Sequence, residues 1–355
     1  MTRIEKLREK LKDGFSAAII EHGPNRWYLS EFISSAGTLL ITEDDALFIV
    51  DFRYIEAAEK SVKGAATALQ EPKLDAQISA FIGAAGANSV LVEEETTLAR
   101  MRRLTAAMPH VEFKTGKTLS SAITSLRAQK EQKEIDAIKA AQVITDAAFT
   151  HILEVIKPGM SERNIAAELE YFMRKNGADG AAFGTIAVSG PNSSLPHGVP
   201  GDREVVKGDF VTMDFGAKKD GYVSDMTRTV AVGEVSDEMR SAYDTVLEAH
   251  MAGREAARAG MTGKELDAVA REIIYAAGYE GKFGHGLGHS LGLEVHEDPR
   301  ASFLFEHMLE QNVIMTIEPG VYLPGRFGVR IENMVVLKDG GNENLTHSPT
   351  DLIVL

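Results

Sequence analysis

Residues 158–177 read "PGMSERNIAAELEYFMRKNG" and residues 259–278 read "AGMTGKELDAVAREIIYAAG", one phrase written twice at an offset of 101. Each copy runs Gly-Met, then a Ser or Thr suited to cap a helix, then apolar residues at helical spacing, then a closing glycine. Thr262 and Glu265 also stand at capping-box spacing. Phe-Gly follows both copies, at 183–184 and 283–284, and "VTMDFG" (211–216) is matched by "MTIEPG" (315–320). Solenoid repeats have periods of roughly 20–50 residues, so this longer one predicts a duplicated half-domain instead. Chemistry in such a fold is expected between the halves.

Working outward, "RAQKEQKEIDAIKAAQVITDAAFTHILEVIKPGM" predicts a long amphipathic helix before the first copy. Ile135, Ile138, Ala141, Phe149, Ile152 and Ile156 follow its spacing, and Pro158–Gly159 ends it. Residues 1 to 120 alternate short apolar runs ("SAAIIE", "GTLLIT", "ALFIVD", "SVLVEE") with helical stretches at 52–62 and 97–108. That is an α/β pattern, with a turn at Glu43–Asp44–Asp45 between two strands. Two domains follow, an α/β domain over 1–125 and an α+β domain over 126–355, and 355 residues suffice for two cores. A net charge of −14 disfavours nucleic acid and anionic membrane as partners. No run of about 18 apolar residues offers a membrane span. The charged start "MTRIEKLREKLKDG" shows no signal-peptide core, and the lack of cysteine excludes disulfides and thiolate metal sites. A cytoplasmic protein is expected.

In "VTMDFGAKKDGYVSDMTRTVAVG" (211–233), Asp220–Gly221 is a strong two-residue hairpin signal. It pairs Lys219 with Tyr222 and, counting back, Gly216 with Asp225. Asp214 then shares a face with 216 and lies diagonal to Asp225, about 7–8 Å away. Glu318 and Glu332 are equidistant from Gly325, so an odd-length loop would set them opposite each other, although Pro319 interrupts a ladder. Most charged residues face water. Asp214 and Glu318, however, stand among Val211, Met213, Phe215, Met315 and Ile317, and Glu332 lies inside "VRIENMVVL". Unpaired buried carboxylates are costly, and four together repel unless cations sit among them. The spacing asks for metal.

"GHGLGHSLGLEVHED" (284–298) lies between these hairpins. His285 and His289 are four apart, yet the H-E-x-x-H of a zinc-protease helix is absent. Glycines 284, 286, 288 and 292 suit an extended strand lining a site. On a strand His285 and His289 share a face, and His296 falls on the other unless a bulge intervenes. A dinucleotide-binding loop is excluded, because Leu291 stands where the third glycine of G-x-G-x-x-G belongs.

Together these motifs resemble the Xaa-Pro peptidase family of prolidase and aminopeptidase P, over 130–355 specifically and more loosely before it. The resemblance implies a creatinase-type N-terminal α/β domain, which dimerises and borders the active site. A C-terminal α+β pita-bread domain of two pseudo-symmetric halves follows it. Asp214, Asp225, His289, Glu318 and Glu332 fall on the family's five metal-ligand positions. His197, His285 and His296 fall on its substrate-side histidines, and Arg330 on the arginine of its "VRIE" motif. Phe183 and Tyr222 match its proline pocket, and Arg300 matches a carboxylate-binding arginine of prolidases. Asn333 departs from the family, which usually has an acid there. A homodimer is implied, with Trp27–Tyr28 a candidate for the border with the neighbouring subunit.

Oxygen-rich ligation with one imidazole suits two divalent ions per chain, Mn²⁺ or Co²⁺ first and Zn²⁺ or Fe²⁺ as alternatives. Such paired ions ready a bridging hydroxide, which attacks the scissile carbonyl of a peptide with proline second. Glu318 then shuttles the proton, while His285 and His296 steer the substrate or stabilise the oxyanion. The expected function is hydrolysis of Xaa-Pro bonds, as a dipeptidase or an aminopeptidase. A creatinase-like hydrolase and a non-catalytic pita-bread interaction protein are the alternatives. The α/β domain ahead of the catalytic half argues against a methionine aminopeptidase.

Overall fold

The computed structural model describes residues 1–12 and 15–355, in two compact units, Met1–Arg127 and Ala128–Leu355. The first unit runs α1 (Arg3–Leu11), β1 (Ala17–Ile20), α2 (Gly23–Ser30), β2 (Thr38–Thr42), β3 (Ala46–Val50), α3 (Ile55–Ser61) and β4 (Ala66–Leu69). It continues through α4 (Leu74–Ala84), β5 (Ser89–Val92), α5 (Leu98–Ala107) and β6 (Glu112–Lys114), and α6 (Thr118–Ala128) follows. Its strands form one mixed sheet in the order β4-β3-β2-β1-β5-β6. The turn at 43–45 joins β2 to β3 as expected, and α6 is a helix that the patterning had not marked.

The second unit opens with α7 (Gln132–Leu153), α8 (Glu162–Lys175), β7 (Gly180–Ala181), β8 (Ile186–Ser189) and a 3₁₀ turn over Gly190–Ser194. Then come β9 (Asp209–Phe215), β10 (Ala217–Lys219), β11 (Tyr222–Val223) and β12 (Met226–Val232), followed by α9 (Asp237–Ala256) and α10 (Gly263–Ala276). The remaining strands are β13 (Gly288–Ser290), β14 (Glu297–Ala301), β15 (Ile314–Ile317), β16 (Gly320–Leu323), β17 (Phe327–Arg330), β18 (Asn333–Lys338) and β19 (Gly341–Asn344). Helix α7 stops at Leu153, short of the expected Pro158. The residue before a proline avoids helical backbone, so the chain turns early, with Ile156 N–H still bonded to Ile152 O. Ile156 is buried past the helix end.

The duplication is visible in both elements and cores. The repeated phrases form α8 and α10, capped by Ser161 and Thr262, and Thr262 with Glu265 makes the full capping box. One core gathers α7, α8, β9 and β12; the other gathers α9, α10, β15 and β18, with Phe210 of β9 and Ala231 of β12 added from the first half.

Each half holds a hairpin whose register carries the site. Lys219 pairs with Tyr222 across Asp220 (φ 47°) and Gly221 (φ 79°), the double positive φ of a turn that favours Asp-Gly. The same register continues to Phe215 with Met226 and Asp214 with Thr227. In the other half Leu323 pairs with Phe327 across a three-residue loop, and Ile317 pairs with Asn333 in unchanged register. Between those rungs the ladder lapses, at Glu318–Pro319 and Ile331–Glu332.

A carboxylate cluster and its pocket

Asp214 sits on β9 and Asp225 immediately before β12, so the first hairpin presents both from adjacent strands. Glu318 follows β15, and Glu332 lies between β17 and β18, where the second hairpin's ladder lapses. His289 comes from β13, whose pairing with β14 slips between His289 and Ser290. That bulge lets His289 and His296 meet edge to face with ring centroids 4.4 Å apart. The expected strand through His285 does not form. Arg271 takes the carbonyls of Phe283 and His285, and Asp267 takes the Leu287 N–H, so side chains use the bonds that a ladder would need. At Gly288 a Cβ would fall 1.9 Å from Thr316 O, so the strands can approach only without one; at Gly284 nothing crowds.

Three of the carboxylates carry a hydrogen bond on one oxygen. Arg330 Nη2 donates to Asp214 Oδ2 at 2.7 Å, Thr227 Oγ1 to Glu332 Oε2 at 2.6 Å, and Thr316 Oγ1 to Glu318 Oε1 at 3.1 Å. His289 Nε2 lies 3.2 Å from Glu318 Oε1 and 3.7 Å from Asp225 Oδ2. Its Nδ1–H donates to Ser290 O at 3.1 Å, which turns Nε2 toward the carboxylates. Asp214 Oδ1, Asp225 Oδ1 and Glu332 Oε1 are buried without any hydrogen-bond partner. Burial first, then the charges of Glu332, Asp214 and Glu318, push the Asp225 carboxyl well above the ordinary range. Burial, with Glu318 and Asp214, does the same to Glu332. Burial opposes ionisation at Glu318 too, but the hydrogen bond and charge of His289, with the charge of Arg330, hold it low.

Orphaned oxygens and mutual repulsion are what divalent cations would relieve, so the residues present fit a metal site. Asp225, His289 and Glu332 already offer ligand atoms within 4.8 Å of one another.

A cavity of about 620 Å³ opens over the cluster, lined by all five of these residues and by Phe183, His197, His285, His296, Arg300 and Arg330. Arg330 is buried, reaching Asp214, Thr227 Oγ1 (3.0 Å) and the Tyr322 hydroxyl (2.8 Å). The Arg300 side chain is half exposed, with Asp298 Oδ1 at 3.3 Å. Tyr222 is not brought here. Its hydroxyl donates to Glu134 Oε1 at 2.8 Å, which draws the ring toward α7. Asn333 accepts from Arg228 Nη2 through Oδ1, one residue beyond Glu332.

Sequence reading missed Tyr322, which links Arg330 to His285 Nε2 at 2.9 Å. It also missed Thr227 and Thr316. Their signal was the period-two spacing from Asp225 and Glu318, which places a hydroxyl on the same strand face as each carboxylate.

The family model of metallopeptidase family M24 matches residues 136–339, and that of the creatinase/prolidase N-terminal domain matches 3–129. This chain belongs to metallopeptidase family M24. It is a metal-dependent peptidase with the pita-bread catalytic fold and a creatinase-type N-terminal domain. It is 37% identical over 354 residues to an Xaa-Pro dipeptidase of Pyrococcus horikoshii, covering 99% of this chain and 98% of that one. A solved Xaa-Pro dipeptidase from Bacillus anthracis superposes with a TM-score of 0.96 at 40% identity, over 99% of both chains. A solved X-Pro aminopeptidase from Thermotoga maritima gives 0.92 at 40% identity, over the whole of both chains. No helix among the described residues is long and apolar enough to cross a membrane.

Proposed function

We propose that the enzyme hydrolyses the bond between an N-terminal residue and proline, with two divalent ions held by Asp214, Asp225, His289, Glu318 and Glu332. The carrying observation is the set of three buried, partnerless carboxylate oxygens around His289, in a chain that matches Xaa-Pro peptidases end to end. Four carboxylates balance two divalent charges, and the oxygen-rich donor set favours Mn²⁺ or Co²⁺. Bound there, the ions would supply a nucleophile at neutral pH and Lewis acidity toward the scissile carbonyl.

The protein's own groups do the rest. Glu318, held ionised, accepts the proton of the attacking water and returns it to the proline nitrogen as the bond breaks. His285 is neutral, its ordinary value lowered chiefly by burial. With Nδ1–H given to Gly286 O, its Nε2 accepts from Tyr322 O–H, and Arg330 Nη1 donates to that hydroxyl in turn. His285 therefore orients one wall of the pocket, and donation to the developing oxyanion falls to His296, with His197 lining the same cavity. Phe183 supplies apolar surface for the proline ring, which offers no donor and must be selected by shape.

A creatinase-like hydrolase or a non-catalytic scaffold would leave the orphaned carboxylates without use. The same reading includes a homodimer, with residues 1–125 as the dimerising and bordering domain and Trp27–Tyr28 at the border. It also places the enzyme in the cytoplasm. Assays on Xaa-Pro dipeptides and tripeptides, after chelation and after return of Mn²⁺ or Co²⁺, test the function. Activity that survives complete metal removal would refute it, and elution at monomer size with full activity would refute the dimer.

A further inference from the structure

Away from the substrate pocket, Lys130 and Glu297 form a buried ion pair, their side chains 1% and 5% exposed and Nζ 3.1 Å from Oε2. Lys130 Nζ also donates to Ser290 Oγ at 3.1 Å, and its backbone N–H bonds Asn312 O. Glu297 Oε1 accepts from the N–H groups of Leu293 (2.9 Å) and Glu294 (3.2 Å). A Cβ on Gly292 would fall 3.1 Å from both Glu297 Oε2 and Lys130 Cε, so glycine there lets the turn close over the pair without crowding it. Gly292 O in turn receives the N–H of Val223, two residues from Asp225.

Every one of the side-chain bonds lands on the segment between His289 and His296 or on its immediate flank. Ser290 follows His289 and supplies the carbonyl that fixes its Nδ1; Glu297 follows His296. A buried pair of this kind adds little net stability over well-packed apolar residues, because desolvation offsets the attraction. What it does supply is a fixed geometry.

We propose that Lys130 and Glu297 are positioning residues for the hydrolysis, clamping the 290–297 turn so that His289 and His296 hold their edge-to-face contact over the site. This rests on the ligand and oxyanion roles proposed above for those histidines.

Two variants test it, Glu297→Gln and the double Lys130→Met/Glu297→Leu, by thermal unfolding, by calorimetric titration with Mn²⁺ and by kcat and KM on an Xaa-Pro dipeptide. The apolar double variant should melt within a few degrees of wild type. It should nonetheless bind Mn²⁺ about 10-fold more weakly and lose about 10–100-fold in kcat, with KM changed far less, the loss expected when groups that orient a ligand are removed. Glu297→Gln keeps an acceptor for Leu293 and Glu294 and should recover most of both losses. Wild-type Mn²⁺ affinity and kcat in the double variant would overturn the proposal. So would failure of both variants to fold, which would give the pair to the fold alone. If wild type itself does not cleave Xaa-Pro bonds, the substrate reading fails, while the Mn²⁺ titration still decides the clamp.

Discussion

Replacing Asp225 by asparagine separates two consequences of the carboxylate cluster. The carboxylate is opposed by burial and by three like charges, so removing it should leave the metal-free melting temperature unchanged or higher. Activity should meanwhile fall by several orders of magnitude, and added Mn²⁺ should stabilise the variant less than wild type. Melts with and without metal, set beside kcat/KM, check both halves. Tyr322→Phe keeps the ring and removes the hydroxyl between Arg330 and His285; kcat should drop about 10–100-fold with the fold intact. At the pocket mouth, Arg300→Ala should raise KM for Xaa-Pro dipeptides by about 10–100-fold, as for loss of a charge-assisted pair, and affect longer peptides much less. Equal losses on both substrates would remove Arg300 from carboxylate binding and favour an aminopeptidase. The positions gathered at the cluster were legible because an acid set between apolar strand residues is costly unless a cation or a donor meets it. Tyr322, Lys130 and Glu297 were not, since a lone hydroxyl or a distant ion pair leaves no periodic mark. Tyr222, assigned to the pocket by the resemblance, is drawn toward α7, because a motif position says nothing about which neighbour, here Glu134, will capture a hydroxyl.

Among the elements, the two hairpins were readable because register propagates by simple counting from a turn, and Asp-Gly and Pro-Gly fixed the turns. The 284–290 segment was not, because the groups that hold it, Asp267 and Arg271, belong to α10. Helix α9 contributes a further constraint. His250 is fully buried, and its Nδ1–H donates to Ile317 O at 3.0 Å, one residue before Glu318. Burial, aided by the charges of Arg228 and Arg254, lowers it from 6.5 to about 3. The folded chain therefore refuses a proton that the unfolded chain accepts. The contribution of His250 to stability is complete well above pH 6.5 and is lost as pH drops from there toward 3, by about 2 kcal/mol at pH 5 with 1.36 kcal/mol per unit. In urea unfolding across that range, His250→Gln should lose less stability than wild type. Parallel curves would show that His250 does not set the acid limb.

At the scale of the whole catalytic unit, the duplication was legible as repeated text, whereas the way the halves join was not. The join is polar. Glu332 N–H bonds Thr227 O, Arg228 reaches Glu332 O and Ser348 O, and Thr212 Oγ1 reaches Gly328 O. Apolar contact crosses it too, since Phe210 of β9 and Ala231 of β12 lie in the second half's core and Phe210 packs on Tyr243 and Phe327. Such a seam has a consequence for dissection of the gene. Cut in the link after β12 and co-expressed as 1–234 and 235–355, the fragments would each retain most of an interior, and their attachment would depend on buried hydrogen bonds, the packing of Phe210 and Ala231, and the proposed ions. Asp214 and Asp225 would lie on one piece and His289, Glu318 and Glu332 on the other. The pieces should co-purify with Mn²⁺ present and part under chelator in mild urea, making the cofactor a switchable fastener between two expressed polypeptides.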